Sequence, residues 1–149
     1  MLAEAMFCLA LNAYWEARNQ DMEGMIAVSQ VVMNRVESEY YPDTVCEVVY
    51  QGPTRPSWKD KTIDYPVRHR CQFSWYCDGK SDNIPSGDEE AWDMARLAAF
   101  GVYFGKVENK VSDSLWYHAD YVTPGWANQK KETTTIGNHI FYRWKNETK

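Results

Sequence analysis

Residues 2–16 read LAEAMFCLALNAYWE, and this stretch decides the fold. Leu2, Met6, Leu9 and Ala13 recur at helical spacing, but most of the remaining positions are apolar too. Such a segment predicts a central helix covered on nearly every side, not an amphipathic surface helix. A chain of 149 residues is long enough to wrap one helix of this kind, burying roughly two-thirds of the surface its unfolded form would expose. Glu16 falls at the C-terminal end of the helix. The polar run Arg18-Asn19-Gln20-Asp21 then breaks the chain, and Asp21 is placed to cap a second helix from Met22 to about Val36. Ile26, Val32, Met33 and Val36 are its expected core face.

Further along, Thr44 and Glu47 have capping-box spacing for a short helix through Val49 and Tyr50. Residues 51 to about 84 are irregular. A connection of that length is usually functional or disordered, and the aromatic and Cys content around Phe73 and Trp75 favours function. Ser86 with Glu89 is a second capping box, opening a helix to about Phe104 that stops at Gly105. The runs Leu115 to His118 and Ile140 to Trp144, separated by a Pro124-Gly125 turn, are expected to be extended. Together these elements predict one α+β domain over residues 1–149, mainly α-helical with a small extended or β portion.

Composition narrows the function classes. Hydrophobic residues at 44% and charged residues at 25% are ordinary for a globular protein, which argues against disorder. The apolar stretch from Met6 to Trp15 is too short to span a bilayer, so no membrane insertion is expected. A net charge of -5 without a basic run argues against a nucleic-acid substrate. Seven Trp and ten Tyr exceed what a core of this size readily hides, so some should line a groove. The start Met1-Leu2-Ala3-Glu4 lacks the positive flank of a secretory signal, so the chain is expected to be made in a cytoplasm. Cys8, Cys46, Cys71 and Cys77 are compatible with disulfides but leave their redox state open.

Three constellations could carry chemistry. Glu16 follows Tyr14-Trp15 at the end of an apolar helix, where desolvation and the negative end of the helix dipole both raise a carboxyl pKa towards that of a general acid. The alternative is a surface carboxylate paired with Arg18. His118, Asp120 and His139 could ligate zinc, but no HExxH-type spacing is present, and hydrogen bonding or groove shaping would account for them equally. Cys71 with His118 and His139 could form a thiol peptidase, against which stands a disulfide to the nearby Cys77. No Gly-rich turn builds a phosphate loop, and Met6, Met22, Met25 and Met33 are read as core filler. No metal and no cofactor is expected.

Four segments together resemble the SleB/CwlJ cell wall hydrolase family, known from spore-cortex-lytic enzymes and phage lysins. They are Tyr14-Trp15-Glu16-Ala17-Arg18 leading into Glu23 to Val28 and Val32 to Val36; Cys71-Gln72-Phe73-Ser74-Trp75; Trp116-Tyr117-His118-Ala119-Asp120 through Pro124-Gly125-Trp126-Ala127; and Ile136-Gly137-Asn138-His139-Ile140-Phe141-Tyr142. The resemblance implies a lysozyme-like, lytic-transglycosylase-like α+β fold with Glu16 as the catalytic acid. It also implies that Gln72, Phe73, Tyr117, His118, Trp126, His139 and Tyr142 line a glycan cleft.

In one place the chain departs from the family pattern. Where relatives continue Glu-Ala-Arg-Gly-Glu, this sequence has Glu16-Ala17-Arg18-Asn19-Gln20, and the second carboxylate is an amide. Hydrolysis ordinarily uses two carboxyl groups, whereas a lytic transglycosylase manages with one. The resemblance therefore implies cleavage of the MurNAc-GlcNAc β-1,4 bond in peptidoglycan strands by Glu16 acting alone. The alternatives are a hydrolytic muramidase that recruits Glu23, Asp21 or Asp120, or the Cys71 or zinc peptidase. The expected setting is a monomeric phage endolysin, made in the host cytoplasm and reaching the wall with the help of a holin; the alternative is a lytic domain of a larger chain.

Overall fold

The computed structural model describes residues 2–145. Helix α1 (Leu2–Ala17) is the centre of the molecule, with α2 (Met22–Val36), α3 (Val45–Val49) and α4 (Glu89–Tyr103) packed round it. The apolar run of the sequence explains this position: Leu9, Ala10, Ala13, Tyr14 and Ala17 are all buried. Small residues set the helix spacing, since Ala13 and Ala17 of α1 meet Ala95 and Ala98 of α4 in one core cluster. A second cluster joins Leu9 and Leu11 to Val45, Val48 and Val49 of α3 and to Phe73 and Trp75. Among the described residues no helix is long and apolar enough to cross a membrane.

The caps follow the sequence at two helices and depart from it at the third. Asp21 accepts from the Gly24 N–H at the start of α2, and Thr44 accepts from Glu47 N–H at the start of α3. At α4 the Ser86–Glu89 box does not form. The N-cap is Asp88, whose carboxylate is taken by the Tyr14 hydroxyl and faces Arg18 at 3.6 Å, while Glu89 accepts from Gly87 N–H instead. A tertiary tie to α1 thus displaces the local cap. On α2, Ile26 and Val32 are buried as expected, but Met33 and Val36 are only half-buried and Arg35 is buried with them.

Three strands form an antiparallel sheet in the order β3 (Trp116–Ala119), β5 (His139–Arg143), β4 (Lys131–Ile136). Strand β4 escaped the sequence reading because its run of Lys, Glu and three Thr carries no apolar alternation; its β-branched residues suit a half-exposed edge. Tyr117 lies opposite Phe141 and Ala119 opposite His139, so these share the face that meets the helices. Trp116 opposite Tyr142, and His118 opposite Ile140, belong to the other face.

The stretch from 51 to 84 is more ordered than its composition suggested. It holds a hairpin of β1 (Thr54–Pro56) and β2 (Asp64–Pro66) and a 3-10 turn at Ser74–Cys77. Disulfide Cys8–Cys46 ties α1 to α3, and Cys71–Cys77 closes the loop that contains the 3-10 turn. The α+β class is the one expected from the sequence.

Candidate active site

Glu16 occupies the last turn of α1, half-buried, and its surroundings come from three other elements. From β3, the Tyr117 hydroxyl donates to Glu16 Oε1 at 2.5 Å. From α2, Arg35 brings a buried guanidinium whose charge reaches both groups. That guanidinium is held in place on several sides. Its Nε donates to the Leu115 carbonyl at 2.7 Å, its Nη1 donates to Gln72 Oε1 at 3.4 Å, and it lies over the Phe73 and Tyr41 rings at 5.2 and 4.9 Å.

The electrostatics favour a protonated acid held ready to ionise. Burial pushes the Glu16 carboxyl above the ordinary glutamate value, and the Tyr117 hydrogen bond and the Arg35 charge pull it partly back. Tyr117 is driven well above a normal phenol, first by burial and then by the Glu16 charge. It therefore remains a donor at every pH at which the protein works. His139, buried on the same sheet face with its ring 5.0 Å from that of Tyr117, is lowered by desolvation against the pull of Asp120. It is a neutral imidazole near neutrality.

The expected cleft residues divide into two groups. Gln72, exposed at the rim, and Phe73, Tyr117 and His139 gather around Glu16 together with Arg35. His118, Trp126 and Tyr142 form a cluster on the opposite face of the sheet. There the His118 Nδ1–H donates to the Ala119 carbonyl at 2.7 Å, and Nε2 meets the Tyr142 hydroxyl at 2.8 Å. A carbonyl can only accept, so the proton on Nδ1 is fixed. This cluster pins Trp126, and with it the 3-10 turn at Ala127–Gln129, against the sheet.

The other candidates are placed as clearly. Cys71 is bonded to Cys77, which removes the thiol needed for a peptidase nucleophile. Among the described residues no three His, Cys, Asp or Glu side chains converge as metal ligands, so His118, Asp120 and His139 do not form a zinc set. Of the possible second carboxylates, Asp21 caps α2, Glu23 pairs with Lys110 at 3.7 Å, and Asp120 is exposed on the His139 side. Gln20 is engaged at the β4–β5 turn, where its amide pairs with Asn138. Gly137 in that turn has φ +59°, and a Cβ there would stand 1.8 Å from Gln20 Oε1. The positive φ favours glycine, and a Cβ would push the end of the Gln20 side chain off Asn138. Sequence reading passed over Arg35 as a site residue, although a lone cation on the apolar face of α2 was the available signal. A cavity of about 970 Å³ opens beyond the end of α2, lined by Asn34, Tyr40, Asp113 and Trp144 among others. Glu16 is not among the residues that line it.

The Cell Wall Hydrolase family matches residues 19–142. The chain belongs to this family. The matched segment starts just after Glu16, so the role of that residue rests on its geometry and its motif. The chain is 28% identical over 134 residues to a spore cortex-lytic enzyme of Oceanobacillus iheyensis, covering 89% of this chain and 39% of that protein. It is 26% identical over 134 residues to the spore cortex-lytic enzyme of Bacillus subtilis, covering 89% and 35%. The chain thus spans little more than a third of the length of these relatives. Its fold matches the catalytic domain of the germination-specific lytic transglycosylase SleB from Bacillus anthracis with a TM-score of 0.68 at 24% identity, covering 93% of each chain. The catalytic domain of Bacillus cereus SleB matches with a TM-score of 0.63 at 23% identity, covering 93% of this chain and 89% of the other. The lysozyme-like fold expected from the sequence is the fold of these domains.

Proposed function

We propose that this cell wall hydrolase is a peptidoglycan lytic transglycosylase in which Glu16 serves as both acid and base at the MurNAc-GlcNAc β-1,4 bond. The observation that carries the reading is a desolvated carboxyl whose electrostatic partners are a phenol donor and a guanidinium, with no second carboxylate acting on it among the described residues. In the first half-step the protonated Glu16 donates to the glycosidic oxygen as the bond from that oxygen to the muramic C1 breaks. The sugar passes through an oxocarbenium-like state, and Glu16 is left as a carboxylate.

Tyr117 and Arg35 stabilise that carboxylate, the first by its hydrogen bond and the second by its charge. In the second half-step the muramic 6-hydroxyl attacks C1 and Glu16 takes back a proton, closing a 1,6-anhydro ring. One residue that is acid and then base suffices, and no water is consumed. The displacement of Gln20 to the β4–β5 turn, and the engagement of Asp21 and Glu23 elsewhere, favour this route over hydrolysis.

The test is Glu16→Gln on purified sacculi, followed by loss of turbidity. An amide keeps the shape and can still accept from Tyr117, but it cannot donate the proton. Lysis should fall by roughly 10²–10⁴ with the fold retained, and clearing at more than about one-hundredth of the parent rate removes Glu16 from the role.

A further inference from the structure

Residues 51–70 carry Arg55, Lys59, Lys61, Arg68 and Arg70 against only Asp60 and Asp64, in a chain whose net charge is -5. Five cations against two carboxylates thus give the β1–β2 hairpin and its base a local positive charge in an otherwise acidic protein. Its apolar residues are also turned outwards: Trp58 is 80% exposed, Ile63 56% and Tyr65 41%. Among the described residues none of the five cations is in an ion pair with a protein carboxylate. Lys59 lies beside the Trp58 ring, its Nζ 5.5 Å from the centroid. Exposed aromatics interleaved with unneutralised cations are costly to leave on a surface without purpose, and they form a natural seat for a sugar ring next to an anion.

The hairpin is also built to hold these groups still. Arg55 lies opposite Tyr65 in the two-stranded ladder, Ser57 N–H closes the tip on the Ile63 carbonyl at 2.7 Å, and the Asp60 side chain accepts from the Thr62 N–H at 3.0 Å. At the base, Val67 N–H donates to Pro53 O and Gln72 N–H to Gln51 O, each at 2.9 Å, and Cys71–Cys77 locks the exit. Gln72 is the residue whose Oε1 accepts from Arg35 beside Glu16. The arm is therefore rooted at the rim of the acid site.

We infer that the β1–β2 hairpin is a substrate clamp that grips the carboxylate-bearing stem peptides of the glycan strand being cut at Glu16. The inference rests on the peptidoglycan reading above and adds to it the part of the polymer recognised away from the scissile bond. Charge complementarity selects this occupant. The stems present carboxylates at regular intervals along the strand held at the site, and the aromatics of the same arm suit the intervening sugars. Because the arm is solvent-exposed, its contribution depends on ionic strength.

Binding is separated from cleavage by working in the Glu16→Gln background and measuring co-sedimentation with intact sacculi. Replacing Arg55, Lys59 and Lys61 together by Gln should weaken binding about tenfold at low salt and flatten its salt dependence. The same charge change at Lys106, Lys131 and Lys145 should leave binding within about twofold of the parent. On sacculi whose stems have been removed by an amidase, and whose freed lactyl carboxylates have then been capped as amides with a carbodiimide and methylamine, the gap between the triple variant and its parent should close. Equal binding by the triple variant and its parent, or equal loss in the control triple, overturns the clamp. So does a gap that survives stem removal but vanishes when phosphodiester polymers are stripped, since the arm would then hold a different anion. Full lysis by Glu16→Gln would overturn the acid assignment, a result separate from all of these.

Discussion

Replacing Tyr117 by Phe removes one hydroxyl and nothing else from the acid site, and its consequences have a definite sign. The hydroxyl donates to Glu16 at 2.5 Å and is one of two influences that hold the carboxyl pKa down against burial. Without it the Glu16 pKa rises further. The protonated, proton-donating form then persists to higher pH, and the alkaline fall in activity moves upward. Turnover falls all the same, because the carboxylate formed in the first half-step loses a donor. A hydrogen bond to a charged group is worth about 1.5–3 kcal/mol, so between roughly tenfold and 150-fold of rate is at stake if the whole bond is formed in the transition state.

Stability gives an independent readout of the same change. While Glu16 is ionised, Tyr117→Phe leaves a desolvated carboxylate without its donor and should cost about 1.5–3 kcal/mol in urea unfolding. Once Glu16 is protonated, only a neutral hydrogen bond is lost, about 0.5–1.5 kcal/mol. The deficit should therefore be larger above the raised Glu16 pKa than below it. An unchanged pH–rate profile, an alkaline limb displaced downward, or a deficit that grows as pH falls would refute the coupling between these two residues.

Glu16→Gln, besides abolishing lysis, should raise the melting temperature at neutral pH. A carboxyl whose folded pKa is raised stabilises the fold only below its unfolded pKa and loses that contribution as pH rises through the folded value. The gain should accordingly shrink on acidification, as checked by thermal unfolding across pH. Arg35→Gln removes the buried charge beside the site and leaves Gln72 and the Leu115 carbonyl without a cationic donor. It should destabilise by about 3 kcal/mol or more and move the alkaline limb of activity upward, both read on the folded fraction. Cys71→Ser with Cys77→Ser should retain glycan cleavage at temperatures where the fold survives, since the pair closes a loop and supplies no nucleophile.

Much of this site could be read from the sequence because its determinants are local. The apolar run of α1 predicts a central helix with Glu16 at its end, but position alone leaves a surface carboxylate paired with Arg18 equally open, and the Glu-Ala-Arg motif is what singles Glu16 out. What the sequence hid is what depends on long-range pairing. Arg35 stands out only as a lone cation on the apolar face of α2 until the chain entering β3 brings the Leu115 carbonyl and Tyr117 to it. The strand register alone places Tyr117 and His139 on the helix side and His118 and Tyr142 on the other, although all four sit in the same two motifs. Ser86 and Glu89 matched a capping box locally, but the bond from Tyr14 to Asp88 spans 74 positions and no spacing rule could foresee it.

If one carboxyl cuts the strand without water, the new ends carry the record of it in their chemistry. Purified sacculi are digested, the sample is split, one half is reduced with borohydride, and muropeptide masses are compared. Cleavage by Glu16 alone should leave 1,6-anhydromuramic ends, lighter by one water than hydrolysed ends and inert to borohydride. New ends that mostly take up hydride would show hydrolysis, contradict the single-acid route, and require a second carboxylate working with Glu16.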